Sequence, residues 1–278
     1  MSMQSAMSVA FWGVRGTVAA PGPGTVRYGG NTSCVELRCG EHRIILDAGT
    51  GLRVLGEHLE KTASPVDIDI FLSHSHIDHI NGLPFFAPAR SRANHIRLWA
   101  GHLQPPNRLE TAIRQLMSPP LFPIEMKVLK ADIQCRDFAC GQVLKPRPDV
   151  TIETAALDHP DGATGYRIEH AGKSVAYITD TETREDRCVQ NIVSLARDAD
   201  LMIFDCTFTE AEIGSRAGWG HSTWQQGARL ADKAGAKRFC MFHHDPDRND
   251  DALDQLVKAA AAVRPGSMAA QEGLVIGL

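Results

Sequence analysis

The sequence predicts an α/β protein in which short apolar strands alternate with amphipathic helices. Strand-like runs at residues 68–72 and 174–178 each lead into a group of polar residues. By contrast, residues 183–198 and the segment that starts at Asp250 repeat apolar residues at helical spacing. These two patterns, alternating along the chain, indicate sheets that are covered by helices.

The composition is that of an ordinary globular protein and shows no excess of positive charge. The 278 residues are 43% hydrophobic and carry a net charge of −4, which argues against nucleic acid as the main partner. Residues 1–8 lack the basic and apolar regions of a signal peptide, and no run approaches a membrane span. Seven scattered cysteines fit a reducing compartment. We therefore predict a cytoplasmic protein that forms one domain over residues 1–278.

The first part of the chain predicts three strands separated by glycine-containing turns. The strands lie at about residues 9–12, 34–38 and 44–47. The third ends in Asp47, just before a helix that is predicted over about 52–61. From its position alone, Asp47 is a candidate cap for that helix.

The polar cluster Ser-His-Ser-His-Ile-Asp-His at residues 73–79 follows the next strand. If that strand continues through His76, the side chains of His74 and His76 point to the same side. Asp78 and His79 then lie in the following turn. Two imidazoles suit one metal ion, and the carboxylate with the third imidazole suits a second ion beside it. Packing alone does not explain so much polarity at one strand end.

At these residues the chain resembles the metallo-β-lactamase superfamily of metal-dependent hydrolases, and the resemblance covers almost the whole sequence. It implies an αββα four-layer sandwich, in which two mixed β-sheets are flanked by helices and metals bind at their shared edge. In that family the aspartate at the position of Asp47 supports the metal-binding histidines by hydrogen bonds.

The segment from residue 80 to 130 is the least regular part, with a strand predicted at 98–100 and a helix at 109–117. The proline-rich stretch 118–123 excludes regular structure. Because it also carries Leu and Phe, it is either a lid or dimer-contact loop within about 84–125, or a packed surface loop.

The second part of the chain again places polar residues at predicted strand ends. His159 follows a strand that ends at about residue 157, Asp180 ends the strand 174–180, and His243 and His244 follow the strand 239–242. Parallel placement of such ends would bring these side chains to one edge of a sheet.

A capping-box pattern at Ser222 and Gln225 predicts a helix that runs to Ala234 and stops at Gly235. His221 directly precedes this helix, whose N-terminus favours anions.

The resemblance implies a role for each of these residues. One metal is bound by His74, His76 and His159, the other by Asp78, His79 and His243, and Asp180 bridges the two. His244 supports the ligands, although the sequence leaves the reverse assignment of His243 and His244 open. The expected cofactors are two divalent metal ions. Zinc is the preferred identity, and manganese and iron are the alternatives. Ions ~3.5–4 Å apart would hold a bridging water as hydroxide.

The motif His221-Ser222-Thr223 is similar to one in tRNase Z and related phosphodiesterases. The resemblance implies that His221 contacts the scissile phosphate and protonates the leaving oxygen, whereas the alternative is a structural histidine beside the helix. The short segment between His159 and Asp180 leaves no room for the arm with which tRNase Z enzymes hold tRNA. The chain is therefore most similar to the phosphoribosyl cyclic phosphodiesterases and the anti-Pycsar-like cyclic-nucleotide phosphodiesterases.

We expect a dinuclear metal-dependent phosphodiesterase that opens a small cyclic phosphodiester, either a cyclic nucleotide or a ribose cyclic phosphate. The metal-bridging hydroxide attacks, Asp78 and His221 are catalytic, and Arg15 and Ser222 are candidate substrate contacts. The alternatives are a carboxyl-ester, lactone or thioester hydrolase of the same fold and an RNA 3′-end processing nuclease. A non-enzymatic partner with a degenerate site is disfavoured by the intact ligand set. The resemblance to these small-molecule phosphodiesterases also implies that the protein forms a homodimer.

Overall fold

Two seven-stranded sheets, packed face to face, form the centre of the computed structural model, which describes residues 7–62, 65–103 and 108–278. Residues 1–6, which belong to the N-terminal segment 1–8, and residues 104–107, within the predicted loop at 84–125, lie outside the described residues. The prediction of one domain over residues 1–278 stays a prediction.

The first sheet is built mainly from the N-terminal half of the chain. Its strands are β1 (Met7–Gly13), β2 (Cys34–Cys39), β3 (His42–Leu46), β4 (Asp67–Leu72), β5 (His95–Ala100), β6 (Asp132–Asp137) and β14 (Val275–Gly277). They lie in the order β14-β1-β2-β3-β4-β5-β6. The run from β3 to β6 is parallel, so the carboxyl ends of β3 and β4 share one edge.

The second sheet holds the remaining strands. They are β7 (Val143–Arg147), β8 (Val150–Leu157), β9 (Ala163–His170), β10 (Lys173–Ile178), β11 (Leu201–Asp205), β12 (Phe239–Phe242) and β13 (Ser267–Ala269). Their order is β13-β12-β11-β10-β9-β8-β7, and β10 to β13 are parallel. The carboxyl ends of β10, β11 and β12 therefore also share one edge.

Helices cover the outer face of each sheet. They are α1 (Gly51–Thr62), α2 (Ile77–Ile80), α3 (Arg108–Leu116), α4 (Asp186–Ala196), α5 (Trp224–Ala234) and α6 (Asp250–Val263). Leucines of α1 and α3 pack on the first sheet, whereas apolar residues of α4, α5 and α6 pack on the second. This confirms the predicted αββα four-layer sandwich. No described helix is both long and apolar enough to cross a membrane.

The layer between the sheets is rich in buried aromatic side chains. Phe71 stacks on Trp99 with 5.3 Å between ring centroids, and Tyr177 meets Phe242 edge-on at 5.6 Å. Aromatic pairs of this kind contribute about 0.5–1.5 kcal/mol beyond their burial. The rigid layer fixes the strand ends that carry the polar residues described below.

Two local predictions were wrong. β4 stops at Leu72, so His74 and His76 do not lie on a strand, and His76 instead precedes α2 as its N-cap. The chain turns because the amide and hydroxyl of Ser73 both donate to the carboxylate of Asp47. The capping box of α5 uses Thr223 and Gln226, one position later than predicted.

Candidate metal centre

Polar residues from five strand ends meet at the edge that the two sheets share. Asp47 directly follows β3, and the cluster 73–79 follows β4. In the second sheet, Asp180 follows β10, Asp205 ends β11 and His243 follows β12. His159 joins them from the turn after β8. The parallel order of the strands is what brings these distant side chains together.

Three of these residues adopt a backbone conformation that L-amino acids other than glycine rarely occupy. The φ angles are 61° at Asp47, 55° at Asp180 and 58° at His243. A left-handed residue of this kind costs about 1–3 kcal/mol and persists only where its surroundings enforce it. Here the reversal directly after each strand turns a side chain back towards the shared edge.

The first group of candidate ligands is His74, His76 and His159, whose donor atoms all lie within 4.8 Å of one another. His76 Nδ1 and His159 Nε2 are 3.1 Å apart. Nδ1 of His74 is held by the Ser73 hydroxyl at 3.0 Å, and Nδ1 of His159 donates to the carbonyl of Gly220 at 2.8 Å. Nε2 of His74 and His159 is therefore free for a metal.

The second group is Asp78, His79 and His243. Nε2 of His79 lies 3.3 Å from Nε2 of His243 and 3.2 Å from a carboxylate oxygen of Asp78. The backbone amide of Thr17 also donates to Asp78, at 2.7 Å. Two imidazoles and a carboxylate at this spacing match the donor set of a divalent transition metal.

Asp180 lies between the two groups. Its carboxylate oxygens are 3.3 Å from Nε2 of His79 and 3.3 Å from Nε2 of His243. They are also 3.9 Å from Nε2 of both His74 and His159. One carboxylate thus faces both candidate sites, as a bridging ligand must.

The residues present fit two divalent cations. Nε2 of His74 is buried and has no hydrogen-bond partner, which is costly unless a ligand occupies that position. Burial opposes the charged form of Asp180, but the imidazoles of His243, His79 and His74 hold the pKa of this carboxyl well below its usual range. Burial likewise opposes charge on His79, yet Asp78, Asp180 and Asp47 raise its pKa well above normal. Buried carboxylates and imidazoles that depend on one another for their charge are well suited to bind a pair of metal ions.

The comparisons agree with this geometry. A family model described as a beta-lactamase superfamily domain matches residues 42–244. Ribonuclease BN of Cronobacter sakazakii is 27% identical over 84% of this chain and 88% of that protein. The metallo-β-lactamase fold protein YhfI of Bacillus subtilis superposes with a TM-score of 0.73 at 22% identity, covering 99% and 100% of the two chains. The short form of human tRNase Z gives 0.70 at 21%, covering 97% and 98%.

The chain belongs to the beta-lactamase superfamily. With the donor set above, it is a metal-dependent hydrolase of the metallo-β-lactamase fold.

In this superfamily member, further side chains orient the candidate ligands. The carboxylate of Asp47 accepts hydrogen bonds from Nδ1 of His79 at 2.8 Å and from the hydroxyl of Tyr177 at 2.7 Å. The Thr207 hydroxyl lies 3.0 Å from Nδ1 of His243. These contacts direct Nε2 of both histidines towards the centre, as such partners do in metal sites.

His221 lies beside the metal centre and is paired with Asp205. Its Nδ1 is 3.0 Å from the Asp205 carboxylate and 3.8 Å from that of Asp180, and its ring stacks on His243 with centroids 5.0 Å apart. Burial disfavours the charged imidazole, but Asp205, Asp180 and Asp78 outweigh it and raise the pKa of His221 to about 9. Since Asp205 occupies Nδ1, Nε2 remains as the atom that can exchange a proton.

Sequence reasoning did not identify Asp205, Thr207 or Tyr177. A usable signal existed for Asp205, because it ends an apolar strand just as Asp47 and Asp180 follow theirs. Thr207 and Tyr177 carry no such signal, since their roles arise only from the packing of the two sheets.

Three predicted residues lie away from the donor atoms. His244 is buried and donates from Nε2 to the carbonyl of Ala270 at 2.9 Å; burial lowers its pKa to about 3. Arg15 is fully buried and donates to the carbonyls of Gly29, Asp245 and Arg248. Ser222 is also fully buried.

The expectation that Arg15 and Ser222 contact substrate is therefore corrected, because neither side chain is accessible. Arg15 ties together loops under the site. The Ser222 hydroxyl donates to the carbonyl of Thr181 at 2.5 Å. This bond also explains why Thr223, and not Ser222, caps α5.

Proposed function

We propose that this protein is a dinuclear metal-dependent phosphodiesterase whose substrate is a small cyclic phosphodiester, either a cyclic nucleotide or a ribose cyclic phosphate. The observation that carries the proposal is the His221–Asp205 pair at 3.0 Å, beside a carboxylate that faces both ligand groups. An acid at that position is needed when a poor leaving group such as a sugar oxygen must be protonated.

The proposed ligands are those of the two groups with Asp180 between them. Two divalent ions, zinc first, would supply an activated water and neutralise charge on the phosphoryl oxygens. His221 holds a proton at Nε2 for the departing oxygen, and Asp205 fixes its tautomer and stabilises its charged form. Asp78, held by the Thr17 amide, contributes as a ligand carboxylate and in this sense as a catalytic residue.

A small substrate is supported by the shape of the chain between His159 and Asp180. Strands β9 and β10 occupy that segment and pair within the second sheet, so no arm projects from it. The net charge of −4 gives no general attraction for a polyanion.

RNA 3′-end processing is the second candidate. It is favoured by the curated relative named ribonuclease BN, which this chain matches over 84% of its length. A carboxyl-ester, lactone or thioester hydrolase would use the same donor set. Of these, a thioester hydrolase would have less need of His221, because a thiolate departs more readily than a sugar alkoxide.

We also propose a homodimer in which residues 118–123 contact the second copy. Leu121 in this loop is 81% exposed, and Phe122 packs edge-on against Phe85, itself 49% exposed. The variant Leu121→Arg would then give a monomer in light-scattering measurements, whereas an unaltered molar mass would contradict the proposal.

A cytoplasmic location is proposed because all seven cysteines are free thiols.

The test begins with purified, metal-loaded protein of known metal content. It is assayed on a chromogenic phosphodiester, an ester and a lactone, then on cyclic mononucleotides, cyclic dinucleotides, ribose cyclic phosphates and a precursor tRNA. His221→Ala should lower turnover of the cyclic phosphodiesters about 10²–10⁴-fold, the usual contribution of a general acid, while both metals stay bound. Absence of phosphodiester turnover with two metals bound would refute the proposal, and preference for the tRNA would favour the second candidate.

A further inference from the structure

Trp219 is a large aromatic side chain that stays open to solvent beside the proposed acid. The residue is 58% exposed. It precedes His221 by two positions, so their Cα atoms are at most about 7.6 Å apart. A ribose can span such a distance. Trp is highly buried on average and is enriched where proteins contact partners.

The backbone that carries Trp219 is held in place by one buried carboxylate. Glu182 accepts hydrogen bonds from the amides of Gly218 at 2.5 Å and Gly220 at 3.1 Å, the residues on either side of the tryptophan. Both glycines have positive φ angles, 89° and 82°, which let the chain wrap around the carboxylate. The same Gly220 carbonyl orients His159. The backbone on either side of Trp219 is therefore fixed relative to the metal centre before any ligand binds.

A cation lies against this indole. The guanidinium of Arg216 is 5.0 Å from the ring centroid of Trp219 and 4.9 Å from that of Phe208. Phe208 in turn lies 5.8 Å from the ring of His221. Trp219 and Arg216 thus form an accessible pair of planar groups, and the buried ring of Phe208 beneath Arg216 connects this pair to His221.

We propose that Trp219 and Arg216 form a stacking platform for a nucleobase, so that the substrate carries a purine or pyrimidine ring. The inference rests on the proposed phosphodiesterase function and narrows its substrate class. Indole and guanidinium faces stack on any base with little dependence on its identity. A ribose cyclic phosphate without a base would leave this surface uncovered.

Binding of AMP and of ribose 5-phosphate to the metal-loaded protein tests the platform without requiring turnover. The two ligands share ribose and phosphate, and only AMP has a base. Titration calorimetry on the wild type should give AMP an affinity about tenfold higher, in the range of base–aromatic stacking. Trp219→Ala should reduce this ratio to near one. Trp219→Phe should keep most of it, and Arg216→Ala should reduce it about threefold.

The matched control is Arg229→Ala, which removes an exposed arginine on α5 that pairs with Glu210. It should keep the wild-type ratio. Equal affinity of the wild type for both ligands would overturn the inference, as would an equal loss for both ligands in Trp219→Ala. Either result is distinct from a failure of the proposed function, which is an absence of phosphodiester turnover. Comparing the turnover of cyclic AMP with that of a short RNA then shows whether the bound base belongs to a mononucleotide or to an RNA.

Discussion

Replacing Asp205 by Asn tests whether the carboxylate beside His221 supports catalysis. The substitution keeps the size of the side chain and an oxygen that can accept from the amide and hydroxyl of Thr207, at 3.0 and 2.8 Å. It removes the negative charge that lies 3.0 Å from Nδ1 of His221. The variant therefore removes the charge of this pair, together with the oxygen that accepts from the backbone amide of Thr181 at 3.2 Å.

The expected magnitude follows from the type of hydrogen bond that is lost. A hydrogen bond to a charged group contributes about 1.5–3 kcal/mol, and each 1.36 kcal/mol changes a rate about tenfold. We expect kcat to fall by about 10- to 150-fold, with both metals retained. Without the carboxylate the pKa of His221 falls from about 9. An acid becomes inactive as the pH rises through its pKa, so the alkaline loss of activity should occur at lower pH in the variant.

The assay is the pH dependence of kcat on a cyclic nucleotide, whose departing sugar oxygen needs an acid, with metal content measured on the same samples. Asp200→Asn is the matched control, since Asp200 precedes β11 and Asp205 ends it, roughly 16 Å apart at 3.3 Å per residue. Asp200 is also buried and binds Lys237 at 2.8 Å. A wild-type kcat in Asp205→Asn with full metal content would refute the reasoning. Loss of metal would show that Asp205 is a ligand.

Three further predictions concern the metal centre. Gly220→Ala places a Cβ 2.1 Å from Nδ1 of His159 and should lower the metal content by about one equivalent, whereas Gly141→Ala, also at positive φ but in open space, should not. Tyr177→Phe removes a donor from Asp47 and should weaken metal affinity about tenfold in chelator competition; unaltered affinity would contradict it. Chelation should lower Tm, and zinc should restore it, because buried carboxylates lose their counter-charge; a constant Tm would count against metals in this centre.

Much of the fold could be predicted from the sequence because local signals and tertiary structure agree. The helix predicted to end at Gly235 does so, with φ of 70° at that glycine. The helix predicted from Asp250 begins there, capped by Asn249. The strand predicted at 239–242 is β12, whose four residues are all apolar and buried.

The unpredicted elements have weak local signals. β6 is only half-buried along its length, and β13 and β14 have three residues each, so pairing with neighbours defines them more than their own composition. The capping box was misplaced because two overlapping patterns fit, and only the bond from Ser222 to Thr181 distinguishes them.

The candidate site was predictable as a set of donors but not as an arrangement. Histidines and aspartates at strand ends are visible in sequence, whereas the hydrogen bonds that orient them depend on which strands are neighbours. Arg15 shows most clearly what the sequence does not reveal. Its position in a glycine-rich loop suggested a contact with substrate, yet its guanidinium donates hydrogen bonds to three backbone carbonyls.

The reversed backbone at Asp47, Asp180 and His243 has a consequence for directed evolution of this chain. Glycine or asparagine would relax each of these positions, so a library of the metal-free protein selected only for heat resistance should enrich such replacements. The resulting proteins would survive higher temperatures while losing the side chains that make the enzyme useful. Selection on this scaffold therefore needs a catalytic screen at every round.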